Sequence, residues 1–192
     1  MAGRIEVRIA EPADAAAMAA IYGPFVTDTA ISFETEAPSA AVMGERLAKT
    51  LATHPWLSAV RDGEVVGYAY AGAHRERAAY RWSCDVTVYV APSGHRSGIG
   101  SALYKTLLPL LRRQGLRSAF AGIALPNAGS VAVHEAMGFA PIGVYRDVGF
   151  KLGAWRDVGW WRLGLASDDG LPAEPLSFAQ LRAEPGFNLT GG

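Results

Sequence analysis

Short segments in which hydrophobic and polar residues alternate recur along the chain, and this alternation predicts β-strands. Two of them, 56–61 and 64–70, flank Asp62-Gly63, a dipeptide that is typical of a tight hairpin turn. The other predicted strands are 6–10, 80–90, 116–124, 139–145 and 150–165. Residues 31–34 are expected to form either a further short strand or an extended loop. The pattern therefore predicts a protein built around a β-sheet.

Four other segments place apolar residues at helical spacing between residues that begin and end helices. They are 12–22, 39–53, 98–114 and 127–137. Pro109 lies inside the third segment and is expected to kink that helix or to end it early. The predicted order is β-α-α-β-β-β-α-β-α-β-β. This order indicates a mixed α/β (α+β) domain, with a central, mostly antiparallel sheet flanked by helices.

Length limits the number of domains. The chain has 192 residues, which corresponds to one domain or at most two. All predicted elements lie within 1–165, which we expect to form the domain. Residues 166–192 are rich in proline and glycine and are expected to form a tail, ordered only where it docks on the body of the protein.

Composition excludes several classes of protein. Lysine plus arginine number 18 and aspartate plus glutamate number 18, so the net charge is zero and a generic nucleic-acid-binding protein is not expected. The single cysteine, Cys84, excludes an intrachain disulfide and a cysteine-cluster metal site. No apolar run reaches the roughly 20 residues of a membrane span, and no signal-peptide core is present. We therefore expect a cytoplasmic protein without a membrane partner.

A glycine-rich loop between a strand and a helix, within 88–103, is the most informative motif. Gly98 and Gly100 allow a ligand to approach the backbone, and the helix N-terminus offers unpaired N–H groups to an anion. Arg96 adds a charge that can fork onto phosphate oxygens. The spacing matches neither the dinucleotide-binding fingerprint nor the P-loop. A pyrophosphate site and an ordinary strand-to-helix turn both remain open from this loop alone.

The run His95-Arg96-Ser97-Gly98-Ile99-Gly100 resembles the acetyl-CoA loop of the GNAT acyltransferase superfamily. Further stretches are similar to its phosphinothricin/methionine sulfoximine N-acetyltransferase branch. They are Thr87-Val88-Tyr89-Val90, Leu125-Pro126-Asn127, residues 133–139 and residues 155–161. The branch usually carries Gln where His95 stands and Glu where Asp85 stands, and some members carry His where Arg156 stands.

The resemblance implies the GNAT fold over most of the chain before the tail, acetyl-CoA as co-substrate without a metal, and a homodimer. It implies that one set of residues binds the co-substrate through the pantetheine arm, the pyrophosphate and the thiol end. These are Val88, Tyr89, Val90, His95, Arg96, Ser97, Gly98, Ile99, Gly100, Ser101 and Asn127. For Asn127 a simple helix N-cap is the alternative role.

Transfer of an acetyl group to an amine requires a base, because an α-amino group with a pKa of about 8 is mostly protonated at neutral pH. The resemblance assigns this role to Asp85, acting directly or through water. The alternative is an ion pair of Asp85 with Arg81 or Arg77. His134 occupies the position from which many members protonate the leaving thiolate. Its alternative role is a packed histidine whose polar atoms are satisfied.

The resemblance also places a set of residues around the amine acceptor. They are Phe33, Arg75, Arg77, Tyr80 and Arg156. Two arginines suit an α-carboxylate or a phosphinate or sulfoximine group, whereas a solvated charged turn is the alternative for Arg75 and Arg77. Phe33 and Glu34 belong to a segment that closes the pocket, in this chain or from a neighbouring subunit. His54 and His74 have no partner at metal-ligand spacing, so no metal site is expected.

We therefore expect an acetyl-CoA-dependent N-acetyltransferase that acts on a small amino acid analogue such as phosphinothricin or methionine sulfoximine. A second possibility keeps acetyl-CoA and changes the acceptor to another amino acid, a polyamine or a protein N-terminus. A third is a non-catalytic protein that binds acyl-CoA.

Overall fold

The computed structural model describes residues 3–94, 97–166 and 170–189. The strands are β1 (Glu6–Ile9), β2 (Trp56–Arg61), β3 (Glu64–Ala73), β4 (Ser83–Val90), β5 (Ser118–Leu125), β6 (Ala140–Lys151) and β7 (Ala154–Gly164). The helices are α1 (Ala15–Thr27), α2 (Ala40–Thr53), α3 (Ile99–Arg113), α4 (Ala128–Ala136) and α5 (Phe178–Arg182).

The strands form one sheet in the order β1-β2-β3-β4-β5-β7-β6. All neighbouring pairs are antiparallel except β4 and β5, which are parallel. The prediction of a mixed, mostly antiparallel sheet flanked by helices is therefore confirmed. The β4–β5 pairing is short, because it joins only Ser83–Asp85 to Ser118–Phe120. Beyond Asp85 and Phe120 the two strands separate, and this separation opens a cleft in the sheet.

The sheet has a hydrophobic core on each face. Helix α3 covers one face with fully buried residues such as Leu103 and Leu107. Helices α1 and α2 cover the other face, where Met18 and Leu47 pack against the aromatic residues of β2 and β3. Because residues alternate along β4, its two faces contribute to different cores. The strand that leads to the cleft is thus fixed from both sides.

The structure corrects the predicted end of the first helix and excludes an early end of the third. Helix α1 continues beyond Tyr22 to Thr27 and contains Pro24. Helix α3 does not end at Pro109 but continues to Arg113. A proline removes one backbone hydrogen bond. The buried leucines on both sides of Pro109 supply enough packing to hold the helix through it.

The predicted boundary between the last two strands is also wrong. Phe150 belongs to β6, and the hairpin turns at Leu152 and Gly153, both of which have a positive φ. A leucine rarely adopts this left-handed conformation, so the sequence contained only the glycine as a turn signal. Residues 31–34 form no strand and lie in the loop between α1 and α2, so the loop alternative is the one observed.

The described part of the predicted tail, 170–189, docks on the body of the protein. Phe178 and Leu181 of α5 are buried in the α3-side core. Gln114 and Leu176 exchange two hydrogen bonds, each 2.8 Å long. Ser177 and Gln180 form a capping box that begins α5. The boundary at residue 165 stays a prediction, but this segment shares its core with the preceding chain.

We expect Phe178→Ala to lower the free energy of unfolding by about 3–5 kcal/mol, because it leaves a cavity in a closed core. The matched control is Leu171→Ala, since Leu171 is fully exposed in the same segment. The control is expected to change stability by less than about 0.5 kcal/mol. Urea unfolding of both variants measures the difference. Equal stabilities would contradict a structural role for the docked segment.

Candidate active site

The point at which β4 and β5 separate carries an acid–imidazole pair. Asp85 is the last residue of β4 that pairs with β5, and His74 follows the end of β3. The His74 Nδ1 atom lies 2.6 Å from Asp85 Oδ1. Sheet register brings them together, because Gly72 lies directly opposite Asp85. The structure thus gives Asp85 a partner that the sequence analysis did not identify.

The alternative role predicted for Asp85, an ion pair with Arg81 or Arg77, is wrong. Arg81 donates two hydrogen bonds of 2.7 Å to the carboxylate of Glu174, in the docked segment. Among the described residues, no ion pair links Asp85 to Arg77. Burial raises the pKa of Asp85, and the His74 hydrogen bond and the nearby charges of His74 and Arg75 oppose this rise only in part.

Aromatic rings hold the His74 imidazole in place. It stacks on Phe120 of β5, with 4.4 Å between ring centroids and 20° between planes. The rings of Trp160 on β7 and of Tyr80 form T-shaped contacts with it, with centroid distances of 6.0 and 5.8 Å. Only 12% of the His74 side chain is exposed. The ring therefore has a fixed orientation beside Asp85.

A cavity of about 230 Å³ opens beside this pair. It is lined by His74, Arg75, Phe120, Ile142, Gly143, Tyr145 and Trp160. The Arg75 guanidinium lies 5.6 Å from the centroid of the Trp160 ring. The buried Nε1 of Trp160 has no hydrogen-bond partner among the described residues. This N–H is enclosed by the protein, so the charged donor that the cavity offers to a ligand is the Arg75 guanidinium.

Space is also open directly beside Asp85. Directly opposite residues of an antiparallel pair point to the same face, so a side chain at Gly72 would stand beside Asp85. A Cβ at Gly72 would meet no described atom within 4 Å. No sequence signal distinguished this glycine from the others in the chain. The structure shows that its missing side chain leaves room next to the carboxylate.

The predicted co-substrate residues of β4 lie along the edge where the strands separate. The side chains of Val88 and Val90 pack toward the α3-side core. Tyr89 points to the opposite face, where its ring contacts Tyr22 at 4.8 Å and Phe25 at 5.1 Å. These side chains are engaged in packing. A pantetheine arm in the cleft would therefore meet the backbone of this strand.

The glycine-rich loop ends at the N-terminus of α3, at the mouth of the cleft. His95 and Arg96 lie outside the described residues, so their predicted roles stay predictions. Gly98 is the N-cap of α3 with a φ of 79°, and a Cβ there would meet no described atom within 4 Å. Ile99 is buried and anchors the helix in the core. Ser97, Gly100 and Ser101 complete the predicted cradle around the first turn.

Asn127 caps α4 on the other side of the cleft. Its Oδ1 accepts a hydrogen bond of 3.1 Å from the Ser130 N–H, so the capping role is confirmed. Within the described part of the chain the side-chain amide N–H groups have no partner. The cap therefore leaves them available to a ligand, and the predicted contact with the co-substrate is compatible with it.

His134 is enclosed in the core next to α3. Its Nδ1 lies 2.7 Å from the Ser130 carbonyl oxygen, and its Nε2 lies 2.8 Å from the Tyr104 hydroxyl. The carbonyl only accepts, so Nδ1 carries the hydrogen and Nε2 accepts from Tyr104. Burial lowers the pKa of His134. This geometry fits the alternative role, a packed and satisfied histidine, and not the predicted acid.

The loop that carries Phe33 is held by a lysine that the sequence analysis missed. The Lys151 ammonium donates hydrogen bonds of 2.6–2.8 Å to the carbonyl oxygens of Val26, Ser32 and Glu34. The Phe33 ring covers Gly149, where a Cβ would overlap it. The loop is thus fixed by β6 of the same chain. The alternation of hydrophobic and polar residues did not distinguish Lys151, because charged residues are common in an exposed strand.

The remaining predicted acceptor residues lie at different distances from the cavity. Arg75 lines it, and Tyr80 contacts His74. Arg77 is exposed in the same turn. Phe33 and Arg156 do not line this cavity. Arg156 instead donates a hydrogen bond of 3.3 Å to the Lys151 carbonyl oxygen, so it belongs to the β6–β7 hairpin.

A sheet that opens between two parallel strands, with a glycine-rich helix N-terminus at the opening, defines an acyltransferase architecture. Residues 7–160 match the family model described as an acetyltransferase (GNAT) domain. The chain belongs to the GNAT acetyltransferase family.

Several relatives and solved structures are similar to the chain over most of its length. It is 40% identical over 171 residues to a phosphinothricin N-acetyltransferase of Streptomyces viridochromogenes, covering 89% of this chain and 91% of the relative. It is 32% identical to an L-methionine sulfoximine/L-methionine sulfone acetyltransferase of Salmonella typhimurium, covering 83% and 94%. A phosphinothricin acetyltransferase of Sinorhizobium meliloti, solved with AcCoA, superimposes with a TM-score of 0.85 at 32% identity, covering 88% and 94%.

The structure also bears on metals and membranes. Within 3–94, 97–166 and 170–189, no group of three or more potential ligand side chains is placed to hold a metal ion. Over the same residues, no helix combines the length and the apolar character that crossing a membrane requires.

We expect Gly72→Val to raise the KM for the amine acceptor by about tenfold or more, which corresponds to ~1.4 kcal/mol of lost binding. The new side chain would occupy the open space beside Asp85, while acetyl-CoA affinity stays unchanged. Gly164→Val is the control, because Gly164 is also a strand glycine with open space around it. Steady-state kinetics and calorimetry measure both effects. An unchanged KM would place the acceptor elsewhere.

Proposed function

We propose that the protein is an acetyl-CoA-dependent N-acetyltransferase that acetylates the amino group of phosphinothricin, methionine sulfoximine or a similar amino acid analogue. One observation carries the proposal: the half-buried Asp85–His74 pair borders an amino-acid-sized cavity at the apex of the β4–β5 cleft. The named relatives support the acceptor class, and the AcCoA complex supports the donor.

Acetyl-CoA fits the cleft on physical grounds. The first turn of a helix leaves backbone N–H groups without intrahelical partners, and the helix dipole favours an anion there. Gly98 keeps the N-terminus of α3 open to such an anion. The separated edge of β4 and the amide of Asn127, which follows the end of β5, flank the opening between the strands. When bound, acetyl-CoA supplies an activated acetyl group at the apex.

The acceptor is recognised by charge. Arg75 can bind a carboxylate or phosphinate group through two parallel hydrogen bonds. Tyr80 contacts the His74 ring, and the resemblance implies that Arg77 also faces the acceptor. A small acceptor with an anionic head group and a free amine matches these donors.

Asp85 provides a negative charge that favours the loss of a proton from the acceptor. An α-ammonium group must lose a proton before it attacks the thioester. A carboxylate close to the amine stabilises this transfer, directly or through an intermediate group. His134 has no free nitrogen for the leaving thiolate. A thiol has a pKa near 8.5, so a thiolate departs at neutral pH without a dedicated acid.

Turnover with a panel of amines tests the proposal. The panel holds phosphinothricin, methionine sulfoximine, unmodified amino acids, a polyamine and a peptide N-terminus, and release of the CoA thiol is measured. We expect kcat/KM to be at least about tenfold higher for the first two, a difference of ~1.4 kcal/mol. A preference for the polyamine or the peptide would favour the second candidate, another acceptor. The departures from the resembled branch at Asp85 and Arg156 are the reason to test it. Acetyl-CoA binding without turnover would establish a non-catalytic protein instead.

We also propose a homodimer in the cytoplasm. The β6–β7 hairpin exposes a large set of apolar side chains, which we call the hairpin patch. It consists of Ile142, Val144, Tyr145, Val148, Phe150, Leu152 and Trp155. Contiguous apolar surfaces of this kind usually mark protein interfaces. A second copy is the expected partner, because the branch that the sequence resembles is dimeric. Cys84 is buried and unpaired, which accords with a cytoplasmic protein.

Sedimentation is expected to give twice the 20.3 kDa mass of the chain at micromolar concentration. Phe150→Arg, in the hairpin patch, is expected to give a monomer, because a charge cannot be buried there without a partner. Leu171→Arg is the control, since Leu171 is exposed outside the patch. A monomeric wild type would exclude the dimer. A dimeric Phe150→Arg variant would move the interface to another surface.

A further inference from the structure

We propose that His74 is a catalytic residue: its Nε2 atom takes the proton from the acceptor amine, and Asp85 orients the ring. The inference rests on the proposed N-acetyltransferase function and adds to it the atom that receives the proton. Neither the sequence motifs nor the relatives' names point to this histidine. It is carried by the contacts around the imidazole.

The hydrogen bond to Asp85 determines which nitrogen is free. An ionised carboxylate only accepts hydrogen bonds, so His74 Nδ1 carries the hydrogen in the 2.6 Å contact. The neutral ring then has its lone pair on Nε2. In the described part of the chain Nε2 has no hydrogen-bond partner, although His74 lines the cavity. This acceptor nitrogen, on a ring that is mostly buried, is thus available to a ligand amine.

The rings around His74 keep this arrangement fixed. Phe120 stacks on one face at 4.4 Å, and Trp160 meets it at 88° between planes. A rotation of the imidazole would break the Asp85 hydrogen bond and the Phe120 stack together. An oriented imidazole with a carboxylate behind it is the arrangement that a general base needs. Asp85 therefore acts as a positioning residue that also stabilises the imidazolium.

The proton transfers balance as follows. The ammonium group of the acceptor gives one proton to Nε2, directly or through one water, and becomes a neutral amine. The amine nitrogen forms a C–N bond to the acetyl carbon, and the C–S bond to CoA breaks. The second amine proton leaves with the thiolate as the CoA thiol. The imidazolium then releases its proton to water, and the neutral base is restored.

The titratable groups that face the ring come from each neighbouring element. They are Asp85 on β4, Arg75 and Tyr80 in the segment after β3, and Tyr145 on β6. Phe120 and Trp160, from β5 and β7, do not titrate. Asp85 and Arg75 place charges of opposite sign beside the ring. The pH dependence of the reaction is therefore a property of this group of residues.

His74→Asn and Asp85→Asn, alone and combined, test the assignment. In His74→Asn the new side-chain amide would still donate to Asp85, but it has no basic nitrogen. We expect each single variant to lower kcat by about 10²–10⁴ and to leave acetyl-CoA affinity unchanged. The double variant is expected to lose no more than the worse single variant, because the two residues act as one unit. The losses should shrink as the pH rises toward the amine's own pKa of about 8.

His54→Asn is the matched control, because His54 lies at the end of α2 and lines no part of this cavity. It is expected to keep wild-type kcat. A loss of less than about tenfold in His74→Asn, or multiplicative losses in the double variant, would overturn the assignment and leave Asp85 as the base. Circular dichroism checks folding, and His74→Gln replaces His74→Asn if that variant is unfolded.

An NMR measurement keeps this test separate from the proposed function. Nitrogen-15 shifts of the wild-type imidazole report which ring nitrogen carries the hydrogen above pH 8, about the pKa of an α-amino group. Hydrogen on Nδ1 supports the inference, and hydrogen on Nε2 overturns it whether or not an amine is turned over. Failure of the whole amine panel would instead refute the acetyltransferase function.

Discussion

The short parallel pairing of β4 and β5 is the constraint on which the other features of the site depend. Only three residue pairs join the strands, yet β4 stays paired to β3 as far as Val90, and β5 stays paired to β7 as far as Leu125. Each strand is therefore held by its other neighbour while the edges between them diverge. The glycine-rich start of α3 and the Asn127 cap of α4 stand at the mouth of this opening, and the Asp85–His74 pair stands at its apex.

The carboxylates of the protein differ in how they are stabilised, and the difference distinguishes structure from chemistry. The Arg46 guanidinium lowers the pKa of Glu34 with two hydrogen bonds, 2.7 and 2.8 Å long. Burial alone would raise the pKa of Asp14, but hydrogen bonds from Arg8, Glu11 and Ser58 lower it overall. The carboxylates of Glu34 and Asp14 are thus stabilised in their ionised form. The pKa of Asp85 is raised, since burial outweighs a single imidazole partner. A carboxylate left incompletely compensated is typical of a functional site.

Much of the fold could be predicted from the local sequence pattern, whereas the site could be predicted only in part. Alternation and the Asp62-Gly63 turn located the strands, because neighbouring residues decide these features. Helix α3 was predicted over 98–114, but the sequence could not decide whether it would end early at Pro109, because core packing and not local propensity decides this. The family resemblance identified Asp85, and the only partners considered for it were arginines nearby in sequence. Its actual partner, His74, follows the end of β3 and is placed by sheet register. Lys151 likewise acts on a loop far away in sequence, so no local signal revealed it.

The Asp85–His74 pair also bears on a departure from the resembled branch. That branch usually carries glutamate at this position, and aspartate is one methylene shorter. The shorter side chain holds its carboxylate farther from the cleft, so the carboxylate reaches an amine less directly. Here the imidazole stands next to the carboxylate, supported by Phe120 and lining the cavity. The negative charge of Asp85 then acts through the imidazole, whose Nε2 lies on the opposite side of the ring's Cε1 from the Nδ1 that contacts the carboxylate. In the proposed mechanism the ring supplies reach and basicity, Asp85 supplies the charge that orients the ring, and the space beside Asp85 at Gly72 is open.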